Sequence, residues 1–338
     1  MRIIIDPEDD IQYMSFYIKG LFEIFGENNV SFDFHAFDEI PIEERHTRTM
    51  RLIVNHGVEE KRYTIDTNDS YQINEVLYNW SDTYGSVNAN FNKTPECFRK
   101  KLVSLCPSFA INYTTIIDAC FQAAKGVLTT HRNKRKYLGC WKRTIQRPQL
   151  EDYVTTKSKE NYVFHLSTLW QSDEWNRNDQ GVNWRRACFI RACKEMEPMV
   201  TFEGGLASSR TDKWAKLFED CFCQRYSNMD CLRKTKESAI VFNTPAYWDC
   251  HGWKLGEYMA LGKSILSTPL FNDLPSPLIN GVHVHLVNDC SLDELKKNIG
   301  FLINNKNYCE QLGKNIHKYW DEYGTPIASL RLLGITRQ

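Results

Sequence analysis

Residues 238–269 read SAIVFNTPAYWDCHGWKLGEYMALGKSILSTP. Four local patterns follow one another in them. Residues 239–243 (AIVFN) form an apolar run long enough for a buried strand and too short for a helix. Residues 244–252 are broken by Pro245, Asp249 and Gly252 and read as a loop. Residues 253–261 have helical spacing, with Leu255, Met259 and Ala260 on one face and Gly262 placed to end the helix. Residues 264–268 (SILST) are a second short strand, stopped by Pro269. Strand, loop, helix and strand in this order make a βαβ unit, which predicts a parallel sheet.

The loop falls where such sheets bind ligands, outside the carboxyl end of a strand. The N-terminus of the following helix offers free N–H groups and a partial positive charge, which suit a phosphate. Gly252 lets backbone approach an anion closely, and Lys254 adds a full charge. Glu257, one turn into the helix, is placed to accept hydrogen bonds from a ribose diol. Asp249, eight positions earlier, is placed to reach a sugar hydroxyl. The bland reading of the same residues is an ordinary βαβ unit.

The stretch resembles the donor-binding half of GT-B glycosyltransferases of the glycosyl transferase group 1 type. Those enzymes carry an acidic residue, seven residues, a Glu, a small-residue helix, a Gly and a short strand. Here the acids are Asp249 and Glu257, and GEYMALGKSILST covers the rest. Asp249 stands where the family usually has Glu. The resemblance implies two Rossmann-like α/β domains facing each other across a cleft. It also implies a nucleotide-sugar donor held on the second domain, with no metal and no cofactor. It assigns Glu257 to the ribose, Lys254 and the helix end at Gly252 to the diphosphate, and Asp249 to the sugar. It further implies transfer to a hydroxyl of a glycan or lipid-linked glycan, as in bacterial surface-polysaccharide or capsule assembly. Two alternatives share the fold: a nucleotide-sugar epimerase and a non-catalytic carbohydrate-binding protein.

Composition sets outer bounds. The 338 residues suit two domains, and 42% hydrophobic with 25% charged residues is ordinary for a globular chain. Formal net charge is zero, so no global field favours nucleic acid or membrane. The opening MRIIIDPEDD does not read as a signal peptide, and no apolar run reaches the roughly 20 residues of a transmembrane helix. The twelve cysteines therefore read as reduced thiols in a cytoplasmic protein. Their clusters, Cys221/Cys223/Cys231 and Cys188/Cys193, lack paired metal-ligand spacing.

In chain order, residues 2–5 predict a first strand and residues 11–25 an amphipathic helix. Residues 30–37 alternate as a strand; 50–55 and 62–65 are further strands, and 73–80 a helix capped at Asn68 or Ser70. Thr94 is placed to cap a helix reaching residue 105, residues 109–111 read as a strand, and 114–128 as an amphipathic helix. Asp66 and Asp69 lie in a polar loop, DTNDS; they are candidates for acceptor contacts or a general base, with His35, or else part of a solvated turn. Residues 131–147, HRNKRKYLGCWKRTIQR, carry seven Lys and Arg and no acid. That block fits peripheral contact with an anionic membrane surface or a lipid-linked diphosphate, or else it is a solvated basic linker.

The domain boundary falls near residue 150, giving 1–150 as the acceptor-side domain and 151–318 as the nucleotide-sugar domain. A helix in 319–338 packs back on the first domain. In the second domain, 162–166 opens the sheet and the loop 167–183, with Trp170, Trp175 and Arg177, meets the donor. The helix 184–196 brings Arg185 and Arg186, either to the diphosphate or to the surface. A strand over 199–202 ends in Glu203-Gly204-Gly205, where the two glycines admit a ligand or mark a turn. Residues 282–287 read as a strand with His283 and His285 on one face. Residues 292–302 and 307–323 read as helices.

Overall fold

The computed structural model describes residues 2–57, 59–170, 181–207 and 214–337. In order these form β1 (Arg2–Ile5), α1 (Ile11–Phe25), β2 (Val30–Phe32), α2 (Ile42–Arg45), β3 (Thr49–His56) and β4 (Glu59–Asp66). Next come α3 (Glu75–Trp80), β5 (Thr83–Ser86), β6 (Leu102–Ser104), α4 (Ile116–Thr129) and α5 (Lys134–Ile145). Then follow β7 (Tyr162–Thr168), α6 (Val182–Glu195), β8 (Thr201–Ala207), α7 (Asn228–Glu237), β9 (Val241–Asn243), α8 (Trp253–Ala260) and β10 (Ile265–Ser267). The chain ends with β11 (His285–Leu286), α9 (Leu292–Asn304), α10 (Lys306–Tyr319) and α11 (Pro326–Leu332). It divides into two α/β units. The first holds Met1–Asp152, Asn272–Pro277 and Asp321–Gln338; the second holds Tyr153–Phe271 and Leu278–Trp320.

Unit 1 is built on a six-stranded sheet of order β2-β1-β3-β4-β5-β6. β1 pairs parallel with β2 and antiparallel with β3, and β3 and β4 form an antiparallel hairpin. Asp10 starts α1 by accepting from Gln12 N–H at 3.0 Å. α11 packs against α1 where Gly20 leaves room: a Cβ there would stand 2.9 Å from Leu330 Cδ1. The returning segment Asn272–Pro277 is sewn in by Asp273, whose N–H donates to Ala89 O at 2.7 Å and whose carboxylate accepts from Phe91 N–H at 2.7 Å.

Several expectations in this unit are corrected. The alternation after Phe32 gives no strand, because the Asp33 carboxylate accepts from His35 N–H at 2.9 Å and turns the chain. α3 is capped by Asn74, not by Asn68 or Ser70. No α-helix follows Thr94, since Pro95 opens only one short turn at Glu96–Phe98 and 102–104 pairs with β5 as β6. Residues 109–111 form no strand. The basic block is no linker: 134–145 is helix α5, started by the Asn133 side chain and seated on buried Tyr137, Cys140, Trp141 and Thr144.

In unit 2, β9, β10 and β11 pair parallel, as do β7 and β8. The two pieces meet where Ala239 N–H donates to Tyr162 O at 2.7 Å and the Ser238 hydroxyl accepts from Phe164 N–H at 2.9 Å. The order is then β8-β7-β9-β10-β11. Phe189 of α6 stacks on Phe242 of β9 at 4.3 Å, within a core that includes Val163, Leu266, Leu295, Ile299 and Leu302. The 238–269 stretch forms the predicted strand, loop, helix and strand, and Gly262 takes φ +58° beside Gly313 O. The paired-histidine strand is corrected: only His285 and Leu286 pair with β10, and the His283 ring instead accepts from Ile279 N–H at 3.0 Å. The helix expected over 307–323 is α10, which passes without a break into a π turn at Trp320–Gly324; Thr325 then caps a new helix with Pro326 in its first turn.

Candidate functional site

From β7 the chain steps outward to β8 and returns on the other side of β7 as β9. The carboxyl ends of β7 and β9 therefore flank the point where strand order reverses, the usual ligand position in open α/β sheets. Buried Asn183 of α6 fixes the segment after β7: its side chain accepts from Trp170 N–H at 3.1 Å and donates to Trp170 O at 2.8 Å. The Trp170 ring lies 5.6 Å from Tyr247. After β9 the loop closes through Ala246 N–H to Cys250 O at 2.9 Å and Cys250 N–H to Tyr247 O at 2.9 Å. Within it Trp248 and Asp249 hold φ +51° and +59°, a left-handed pair of non-glycine residues. Backbone of that kind costs about 1–3 kcal/mol per residue and concentrates at functional sites.

The electrostatics at this end are positive. Arg186 is buried, donates to Thr168 O at 3.0 Å, and has its pKa pushed down to about 10 by burial. Lys254 is half-buried with its ammonium 5.9 Å from the Tyr258 ring centre. Burial opposes its charge, but Tyr258 and Glu257 outweigh burial and hold its pKa above the ordinary lysine value. Among the described residues, neither cation has a carboxylate within 4 Å. His165, fully enclosed, bonds Ser167 Oγ at 3.0 Å; burial first, then Lys254 and Arg186, keep it neutral far below the usual histidine range. The helix α8 begins at Gly252 with no side-chain cap, and its positive dipole end lies at this side of the sheet. Glu257 accepts from Tyr153 OH at 3.2 Å.

Lys254, Glu257, Arg186 and the Asp249 loop thus belong to one end of unit 2. Gly252 has ordinary φ and room for a Cβ, the nearest side chain being Ala246 at 3.7 Å. Arg185 is half-buried on α6. The glycine pair is corrected: β8 runs on to Ala207, so Gly204 and Gly205 lie inside the strand. A Cβ on Gly204 would meet His165 O at 2.0 Å and one on Gly205 would meet Cys221 O at 2.3 Å. Their close neighbours are the protein's own carbonyls. The expectation for Trp175 and Arg177 lies outside the described residues.

In unit 1, Asp66 is buried and accepts from Asn68 N–H at 2.8 Å, Asn68 Nδ2 at 2.8 Å and Tyr84 OH at 2.5 Å. Burial raises its pKa against these bonds. Asp69 is ion-paired with Arg48, whose guanidinium lies 5.0 Å over the Tyr13 ring. His35 is exposed and pairs with Asp38 at 3.1 Å. Sequence reasoning missed a buried charge cluster after β1. Asp6 accepts from Arg45 Nε and Arg51 Nε, both at 2.9 Å, and all three are almost fully enclosed. Glu8 accepts from Thr130 Oγ1 at 2.9 Å and His131 N–H at 2.7 Å. Neighbouring Asp9 is driven well above the carboxylate range by burial. The available signal was Arg51 at an inward position of the apolar run MRLIVN. All twelve cysteines are free thiols, and among the described residues no three His, Cys, Asp or Glu side chains gather as metal ligands.

No protein-family model matches the chain, and no curated protein matches it. Solved structures do resemble it. One is the C-terminal domain of a group 1 family glycosyl transferase, LpcC, from Francisella tularensis: 13% identical, covering 52% of this chain and 97% of that one, TM-score 0.37. A second is Anabaena HepE in complex with UDP, 12% identical over 80% and 97%, TM-score 0.40. A third is a candidate UDP-N-acetylglucosamine 2-epimerase from Listeria monocytogenes, 13% identical over 80% and 71%, TM-score 0.44. Likenesses at this level carry neither residue roles nor an activity to this chain.

Proposed function

We propose that the chain transfers a sugar from a nucleotide-sugar donor to a hydroxyl of a glycan or lipid-linked glycan, in surface-polysaccharide assembly. The observation that carries this reading is the pair Arg186 and Lys254. Both cations lie at the strand-order reversal beside an uncapped helix start, and neither has a carboxylate partner among the described residues. Buried positive charge of this kind calls for an anion, and a nucleoside diphosphate supplies one of the right size. In the reaction the bond from the sugar's anomeric carbon to the diphosphate oxygen breaks as the acceptor hydroxyl oxygen bonds that carbon, and the hydroxyl proton passes to the leaving diphosphate. The charge that develops on the leaving diphosphate is met by Lys254, Arg186 and the α8 N–H groups. Glu257, oriented by Tyr153, takes the ribose hydroxyls, and Asp249 takes the donor sugar.

The test is thermal unfolding and titration calorimetry with a panel of nucleoside diphosphates and nucleotide sugars. A ligand at about 100 times its Kd stabilises by about 2.7 kcal/mol. Loss of one charge-assisted bond costs about 1.5–3 kcal/mol, so Lys254→Met is expected to bind about ten- to a hundredfold more weakly. Glu257→Ala is expected to weaken nucleosides bearing ribose selectively. No shift with any nucleotide would remove the donor site. Consumption of the nucleotide sugar without an acceptor, giving an isomeric sugar, would replace transfer by epimerisation.

A further inference from the structure

Helix α4 is amphipathic in the inverted sense. Its inward positions are small, Ala119, Ala123 and Gly126, and Gly126 lies so close to Tyr137 of α5 that a Cβ would stand 2.0 Å from the phenol oxygen. Its large apolar residues face out: Ile117 is 81% exposed, Phe121 68% and Leu128 83%. With Ala124 they recur at intervals of four, three and four residues, one stripe along the helix. Ile116 adds to its start, and Leu138 of α5 is 45% exposed beside the basic positions of that helix.

Past Asp118, the exposed acid in the first turn of α4, the charge on this helix pair is of one sign. From Ala119 to Leu150 the chain has eight Lys and Arg and no Asp or Glu. Lys125, Lys134, Arg135, Lys136 and Lys142 are exposed, and among the described residues none has a carboxylate within 4 Å. An exposed apolar stripe flanked by unpaired cations, in a chain of zero net charge, is complementary to an anionic surface with an apolar interior. We propose that the outward face of α4 and α5 docks on an anionic lipid bilayer. α4 would lie in the plane of the interface with Ile117, Phe121 and Leu128 in the acyl boundary, and the α5 cations would sit among the headgroups. The anion supplies charge complementarity, and the acyl region removes the stripe from water. This surface is separate from the nucleotide-sugar site and stands whether or not that site binds its donor.

The experiment is co-sedimentation of the full chain with vesicles of phosphatidylcholine alone or with added phosphatidylglycerol. The wild type is expected to pellet with the anionic vesicles, less so as salt rises. Each cation near the surface contributes about fivefold in partition, so Lys134→Gln/Arg135→Gln/Lys136→Gln should weaken binding about a hundredfold. Ile117→Ser/Phe121→Ser should weaken it at least tenfold. Both variants alter exposed side chains only, and unchanged melting temperatures confirm the fold. Absence of the wild type from the anionic pellet overturns the proposal. So does equal binding to neutral vesicles, or binding that neither variant reduces. Self-association abolished by Ile117→Ser/Phe121→Ser, without vesicle binding, assigns the stripe to a second copy and also overturns it.

Discussion

Lys263 shows how a single side chain can set a pH dependence. It is buried next to Gly262, donating to Ser158 Oγ at 2.7 Å and Lys236 O at 3.0 Å, with no carboxylate within 4 Å among the described residues. Burial drives its pKa from 10.5 down to about 8. Above the unfolded value the amine is neutral in both states and costs nothing. As pH falls from 10.5 toward about 8 the unfolded chain takes up a proton that the buried amine does not, and stability is lost over that window; below about 8 both states are charged and the cost is constant. The wild type should therefore gain on Lys263→Met as pH rises from about 7 to about 9.5, by about 2 kcal/mol in urea unfolding. A difference that stays flat across that range would show that the amine is solvated. Arg186 differs from Lys263 in place rather than in burial. It lies where strand order reverses, which is why one buried cation is read as a ligand site and the other as a stability cost.

Elements were legible where the local pattern and the tertiary environment agree. The 238–269 stretch needs only its own breakers and its own apolar spacing, so strand, loop, helix and strand were all readable, and with them Lys254 and Glu257. Arg186 was named, but its burial depends on how α6 packs, which no local pattern reports. The helix expected in 319–338 starts only at Pro326, where Thr325 caps it and the proline fits its first turn. α4 was read as an amphipathic helix, but which of its faces lies inward depends on packing that no local pattern reports. Close packing of Gly126 on Tyr137 turns the large apolar residues out. The Gly204-Gly205 pair was read as the end of a strand, yet β8 continues through it. At Gly204 two demands coincide, φ +108° and a carbonyl 2.0 Å from any Cβ. Gly204→Ala should cost about 3 kcal/mol or more in urea unfolding, because strand and side chain cannot both keep their places. Gly281→Ala is the control. It also has positive φ, but its nearest neighbour is 3.7 Å away, so about 1 kcal/mol is expected. Equal costs would mean that the contact between β7 and β8 is looser than the strand register requires.

At the scale of the molecule, neither unit is one continuous length of sequence. Unit 1 recruits Asn272–Pro277, which interrupts unit 2, and Asp321–Gln338, which follows it, so a boundary near residue 150 describes only the first crossing. The last segment is structural. Ala328, Leu330, Leu333 and Ile335 are all buried. A Cβ on Gly20 of α1 would touch Leu330, and one on Gly85 of β5 would stand 2.7 Å from Leu333 Cδ2. Both glycines are therefore shaped to α11, and neither surface has a side chain of its own to close the gap. Burying a large aliphatic side chain contributes about 1.5–3 kcal/mol, so deletion of residues 321–338 should cost unit 1 on the order of 5 kcal/mol. That is a large part of the roughly 5–15 kcal/mol that stabilises a typical domain. Hydrogen exchange reads this directly: amides of α1 and β5 should lose protection by about three orders of magnitude or more in the truncated chain. If α1 exchanges as slowly without α11 as with it, the helix is held by the sheet beneath it, and the glycine at position 20 has no partner to fit.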